Sequence, residues 1–382
     1  MQLKSRHSTA QTLAVLHPVF ALTGVLHAVG GALLPSLATT FQLSDSDSGL
    51  LFLLYFAGTS LGALFCRWNY ARAMTLGFVA MTACCLGVAS AGRPMLPMVF
   101  LLLGISVGVP MSAVSLFAGR NFAERCAPVL TFLNFSWSAG ALAAPLMAAG
   151  VLRHHSYRAA YLLFAAASAV AAVLCGSLIE DAPEVMRPMT EARSFTALRL
   201  ILIFAFAAFL QVGIENTVAA WLPTYALRMA RHGSVLAAAS SAVYWAGFLA
   251  SRGVSSLLLM HAEPMRVFRS ATVVALIAAT LLVIAPSVAV RNVAMFLLGA
   301  ALAPIYPLVI AGSFARFRRT SDSRWVLATA GFGGSVLPWL AGSISAHTGS
   351  LRMGMLMIPG ALLLMIVLLP ALRGNRTAIV EG

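Results

Sequence analysis

Apolar runs of about twenty residues recur along the whole chain, separated by short polar or turn-forming stretches. In order they cover residues 13–38, 50–68, 73–91, 96–118, 129–152 and 159–179, then 200–227, 235–260, 270–289, 293–314, 325–346 and 353–372. As a helix, a run of that length crosses a hydrocarbon core of ~30 Å. A membrane-spanning segment must satisfy its own backbone hydrogen bonds, so only helices and closed barrels are available to it. Barrel strands would alternate over short segments; these runs are long and unbroken. The pattern therefore predicts an all-α membrane protein with twelve transmembrane helices. Six runs, a polar stretch and six more divide it into an N-terminal six-helix bundle (1–180), a linker (181–198) and a C-terminal six-helix bundle (199–382).

Composition agrees. The 382 residues are 60% hydrophobic and only 9% charged, with a mean hydropathy of +0.91, whereas a soluble domain carries roughly a quarter charged residues. The net charge of +14 raises nucleic acid as a partner, but the charges sit in connections between runs and form no basic stripe, so none is expected. With the N-terminus inside, inner segments hold 18 Lys and Arg and outer segments 7. Arg252 is counted among the inner charges. This bias places both termini in the cytoplasm and the chain in a plasma membrane, of the bacterial inner-membrane type. The first run is too long for a cleaved leader and reads as the first span. Five cysteines without a C-x-x-C pair support neither disulfides nor a metal site, and no cofactor is implied.

The two sets of runs resemble each other. Leu102, Leu103, Gly104 and Pro110 in the fourth recur as Leu297, Leu298, Gly299 and Pro304 in the tenth. Gly140 and Pro145 in the fifth recur as Gly333 and Pro338 in the eleventh, and Tyr55, Phe56, Ala57, Gly58 as Tyr244, Trp245, Ala246, Gly247. The shared offset, about half the chain, predicts a parallel duplication, with two bundles in a pseudo-two-fold arrangement about the membrane normal.

An ionisable group inside a membrane costs ~2.5–3.5 kcal/mol on insertion scales, which makes it a functional candidate. Ten of the eleven acids fall in loops or tails; Glu215 lies within the seventh run, with Gln211 one turn earlier and Asn216 next to it. Its carboxyl can bind a proton from one side and release it to the other, accept hydrogen bonds from a polyol, or bond a neighbouring helix as packing glue. His27, midway along the first run, has the same choice between substrate, proton and interhelical bond. Asn134 and Trp137 share a face of the fifth run with Ser138. Trp221, Tyr244, Trp245 and Tyr306 add aromatic rings with polar tips, suited to stacking on a sugar or simply to packing. Pro304 and Pro307 kink the tenth run, as a gating hinge or as an ordinary bend.

These features resemble the major facilitator superfamily. Gly213-Ile214-Glu215, followed by Trp221-Leu222-Pro223-Thr224-Tyr225, is similar to the seventh helix of bacterial sugar permeases related to fucose permease, in their glucose-transporting branch. Residues 33–37, 41–44 and 49–52 fit that group's first loop, and 303–307 and 336–340 its tenth and eleventh helices. The resemblance implies a monomeric carrier in the lipid bilayer that moves a small-molecule substrate with H+ or Na+ by alternating access. The superfamily's gating loop after the second helix, Gly-x-x-x-Asp-Arg/Lys-x-Gly-Arg, is degenerate here: Gly62, Arg67 and Arg72 remain without the acid, and Arg120 ends the fourth helix. The acids that couple protons in fucose permease fall near Gly31 and Met111, which leaves Glu215 as the embedded acid.

The expected function is secondary active transport of a small polar solute, such as a hexose, with a cation. A proton-coupled drug or metabolite efflux carrier is the alternative within transport, and a non-transporting nutrient sensor the alternative outside it. No motif for a membrane enzyme is present: the sequence has no H-E-x-x-H, no G-x-x-x-x-G-K and no paired intramembrane acids.

Overall fold

The computed structural model describes residues 9–65, 69–122, 126–179, 195–230, 234–259, 261–285, 287–316 and 320–373. The first half holds α1 (Thr9–Phe41), α2 (Asp45–Phe65), α3 (Tyr70–Ser90), α4 (Leu96–Asn121), α5 (Cys126–Leu152) and α6 (Tyr157–Leu178). The second holds α7 (Phe195–Ala230), α8 (Ser234–Leu258), α9 (Pro264–Ile284), α10 (Val288–Leu302), α11 (Ile305–Arg316), α12 (Thr320–Thr348), α13 (Leu351–Met355) and α14 (Met357–Arg373). The tenth span is α10 plus α11, broken at Ala303 and Pro304, where the proline removes a ladder donor. The twelfth is α13 plus α14.

Among the described residues, ten stretches are long and apolar enough to cross a bilayer; α8 and α12 complete the twelve. Both are rich in Ser and Gly, and α8 carries Arg252. They lie where the halves meet, α8 against α5 and α12 against α2, a position where small residues allow close approach and polar ones find partners. Away from the seam the surface is apolar. Val173 and Val367 are 69% and 74% exposed, which only a lipid solvent makes favourable.

The duplication appears as packing. α4 lies on α2 as α10 lies on α8, and α5 on α1 as α12 on α7. In each case a glycine meets a carbonyl: Gly104 sits on Tyr55 O and Gly299 on Tyr244 O, Gly140 on Ala21 O and Gly333 on Phe209 O. A Cβ at any of the four would overlap that oxygen, so the helices can approach this closely only with glycine there. Gly104→Val and Gly299→Val should each lower the melting temperature in detergent, by an overpacking cost of about 1–3 kcal/mol, whereas Gly150→Val, where a Cβ meets open space, should not. Equal melting of all three variants would rule the seams out as the reason for the glycines.

The expected linker falls outside the described residues, as does Arg67. Gly62 packs on Ile105 O of α4 inside the first half, and Arg72 is exposed at the start of α3, where its N–H is capped by Asn69 Oδ1 at 2.7 Å. Arg120 belongs to the last turn of α4.

Candidate functional site

Among the described residues, four main helix pairs join the halves: α1 with α7 and with α8, α2 with α12, and α5 with α8. Polar side chains gather on these pairs near mid-membrane. Nearly all come from the second half: Gln211, Glu215 and Asn216 of α7, Tyr244, Trp245 and Arg252 of α8, and Tyr306 of α11. The first half supplies His27 of α1 and Trp137 of α5.

His27 Nε2 lies 3.2 Å from Asn216 Oδ1, across the halves, and Asn216 Nδ2 donates to Gly334 O at 3.4 Å. The His27 ring is 5.1 Å from Trp137 and 5.4 Å from Phe56. Trp137 in turn meets Trp245 edge-on across the α5–α8 contact, at 6.0 Å. Gln211 Nε2 donates to Leu302 O at 3.1 Å, just before the break between α10 and α11.

Glu215 is buried, and its carboxylate accepts no hydrogen bond from any described residue. Arg252, Tyr244 and Tyr306 stand within electrostatic reach of it. The Arg252 guanidinium lies over two rings, 4.7 Å from Phe248 and 5.6 Å from Trp137, close enough for cation–π attraction. Its Nη1 donates to Ser138 Oγ at 2.8 Å and Asn134 O at 3.2 Å.

Several donors and acceptors in this layer are buried without a partner: His27 Nδ1, Trp137 Nε1, Gln211 Oε1, Tyr244 Oη, Trp245 Nε1 and Arg252 Nε. Each such group costs about 1–3 kcal/mol when left unmet. Six such groups lie in this layer, and a solute that brings its own hydrogen-bonding groups could satisfy them. Beside His27 there is a void of about 10 Å³ enclosed by α1, α2, α4, α6 and α7, roughly the room of one water. The two halves meet closely around it.

They are held together on both sides of this layer. Toward the face that carries the α1–α2 connection, the Arg228 fork spans both oxygens of Asp45 (Nη1–Oδ2 2.6 Å, Nη2–Oδ1 2.5 Å), and Ser345 Oγ donates to the same carboxylate. This clasp ties α2 to α7 and α12. Behind it Gly31 sits on Ala219 O and Gly49 against Trp339 O. Toward the opposite face, where α6 ends and α7 begins, Ser60 of α2 presses on Gly331 of α12, and Arg252 bridges α8 to α5.

Eight of the ten sequence-selected site residues thus stand in or beside one layer. Two differ. Trp221 is wholly buried, with Nε1 donating to Pro338 O at 2.8 Å and its ring edge-on to Phe52 at 5.8 Å, which makes it packing on the clasp side. Asn134 is exposed and contributes its backbone carbonyl to Arg252. Arg252 itself, counted as an inner charge in the sequence, is in the membrane layer. The available signal was its place eight residues inside an apolar run. Asp45 and Arg228 carry no local signal, being 183 residues apart.

The fold recurs in solved structures: a D-xylose-proton symporter (TM-score 0.77, 14% identity, covering 96% of this chain and 99% of that one) and a bacterial homologue of the human lysosomal transporter Spinster, inward-facing and unoccupied (TM-score 0.75, 14% identity, 97% and 98%). The glucose/mannose transporter GlcP of Bacillus subtilis is 23% identical over 362 residues, covering 88% of each chain. The Major Facilitator Superfamily family model matches residues 18–322. With twelve helices in two related halves, facing each other across a polar layer, the chain belongs to the Major Facilitator Superfamily of transporters.

Proposed function

We propose that the protein carries a neutral, hexose-like polyol together with H+ or Na+ by alternating access. It works as a monomer in a bacterial-type inner membrane, with both termini in the cytoplasm. The observation that carries this reading is the layer in which an unbonded carboxylate, Glu215, and an arginine with spare donors, Arg252, lie among Trp and Tyr rings. Adjacent hydroxyls of a sugar match that pair, one donating to Glu215 and one accepting from Arg252. Its C–H faces match the indoles of Trp137 and Trp245. The opposite charges disfavour a substrate of either sign, since an anion meets Glu215 and a cation meets Arg252.

The relative in Bacillus subtilis, a glucose/mannose transporter by name, supports the sugar, and the fold shared with a D-xylose-proton symporter is compatible with it. The excess of Lys and Arg in segments on the face where α6 ends and α7 begins supports the orientation.

Purified protein in proteoliposomes should accumulate radiolabelled glucose, mannose or xylose when a pH or sodium gradient is imposed. Uptake of none of them under either gradient would defeat the sugar reading. Gradient-driven movement of lipophilic cations in its place would make the protein an efflux carrier.

A further inference from the structure

We infer that Arg252 also latches the two halves together, and that the charge on Glu215 decides whether the latch is closed. The inference rests on the transporter reading but not on the sugar.

Arg252 belongs to the second half, yet its hydrogen bonds run to the first: Nη1 donates to Ser138 Oγ and Asn134 O, both on α5. Trp137 of α5 covers one side of the guanidinium, and Phe248 of its own helix lies against it as well. Nε is buried and unpartnered, so the fork is only partly used. Within its own half stands the Glu215 carboxylate, in electrostatic reach but with no hydrogen bond and no ion-pair contact to it. Arg252 therefore has two sets of acceptors, neutral ones across the seam and a charged one on its own side.

Which set wins follows from the charge state of Glu215. An ionised carboxylate adds a full Coulombic attraction to the guanidinium, which the neutral Ser138 hydroxyl and Asn134 carbonyl do not offer. When Glu215 is ionised it draws the guanidinium away from α5, and the α5–α8 contact loses its bridge. When a proton or other cation neutralises Glu215, that attraction disappears and Arg252 returns to Ser138 and Asn134, the arrangement seen here. The other groups facing Arg252 are Tyr244 of α8 and Tyr306 of α11, both neutral phenols across the physiological range. His27 of α1 is engaged with Asn216. Loading of the cation site and closure of the α5–α8 side thus become one event, a link that an alternating-access cycle requires.

The test uses full-length protein in nanodiscs, freed of its five cysteines. Spin labels go on Phe132→Cys and Leu258→Cys, exposed positions of α5 and α8 on the side toward which Arg252 lies. In the wild-type background the label distance should lengthen as pH rises. Glu215→Gln should give a distribution weighted toward the short distance that no longer changes with pH. Ser138→Ala should favour the long distance, changing the short-to-long ratio by about tenfold for the lost cross-seam bond. Arg252→Met should abolish the pH response. A wild-type pH response that persists in Glu215→Gln, or a Ser138→Ala distribution identical to wild type, would overturn the inference. Ser138→Ala removes one oxygen and keeps the fold testable if Arg252→Met does not fold. No sugar is present in these measurements, so the sugar reading can fail while the latch stands.

Discussion

Glu215→Gln should reduce the accumulation ratio for sugar to unity while leaving exchange of labelled for unlabelled sugar measurable. The amide keeps the shape of the carboxyl and one acceptor oxygen but carries neither the charge nor the exchangeable proton. Coupling needs a group whose charge state differs between the two halves of the cycle, and the other ten acids stand at helix ends, in connections or in tails. Affinity should also fall. A hydrogen bond to a charged acceptor contributes about 1.5–3 kcal/mol against about 0.5–1.5 kcal/mol for a neutral one, so the half-saturation concentration should rise by roughly tenfold. Proteoliposomes with an imposed gradient, assayed for both uptake and counterflow, separate the two effects. Undiminished accumulation by the variant would remove Glu215 from coupling, and loss of counterflow as well would make it a binding residue only.

Asp45→Ala should open the face that the clasp now closes. Asp45 holds the Arg228 fork and the Ser345 hydroxyl at once, so its loss frees α2 from both α7 and α12. The side chains are unequally buried, 13% exposed for Asp45 and 45% for Arg228. The pair should therefore be worth more than a surface bridge and less than a buried one, about 1–2 kcal/mol. That shifts the balance of closed and open forms by roughly five- to thirtyfold. A membrane-impermeant maleimide reads it out. A cysteine at Phe52, packed edge-on to Trp221 behind the clasp, should label faster by that factor in Asp45→Ala. Arg228→Lys should lie between the two, because it keeps the charge without the fork. Labelling at the wild-type rate in Asp45→Ala would mean that the backbone contacts at Gly31 and Gly49 close this face without help.

Much of the architecture is legible in the sequence because lipid imposes a single rule on every residue of a span. The runs and the embedded Glu215 follow from it, and the half-chain duplication shows in the shared offset of matched positions. Even the matched glycines, which look like mere composition, turn out to occupy the same seam in each half. Arg252 escaped because apolar residues on both sides let the run extend over it, while counting charges by sequence position placed it with the loops. The clasp escaped for a different reason. An acid at the start of α2 and an arginine at the end of α7 are each unremarkable there, and only the folded seam brings them together. Trp221 was grouped with the site by residue type, but its indole N–H is used by the Pro338 carbonyl, a partner that no pattern in the chain announces.

The low apolarity of α8 and α12 has a consequence for how the chain enters the membrane in the first place. A helix partitions from the insertion machinery into lipid according to the sum of its residues, and an arginine within the span opposes this, by up to about 2.5–3.5 kcal/mol at the centre and less toward an end. The serines, glycines and Arg252 that let these two helices face a solute therefore weaken their case for inserting alone. They depend on neighbours to stay in the membrane: α7 and α2, already in place, for α12, and α5, which holds the hydrogen-bond partners of Arg252, for α8, with α10 joining it later. The helices that make a path for cargo are thus the ones that depend most on the order in which the chain is threaded.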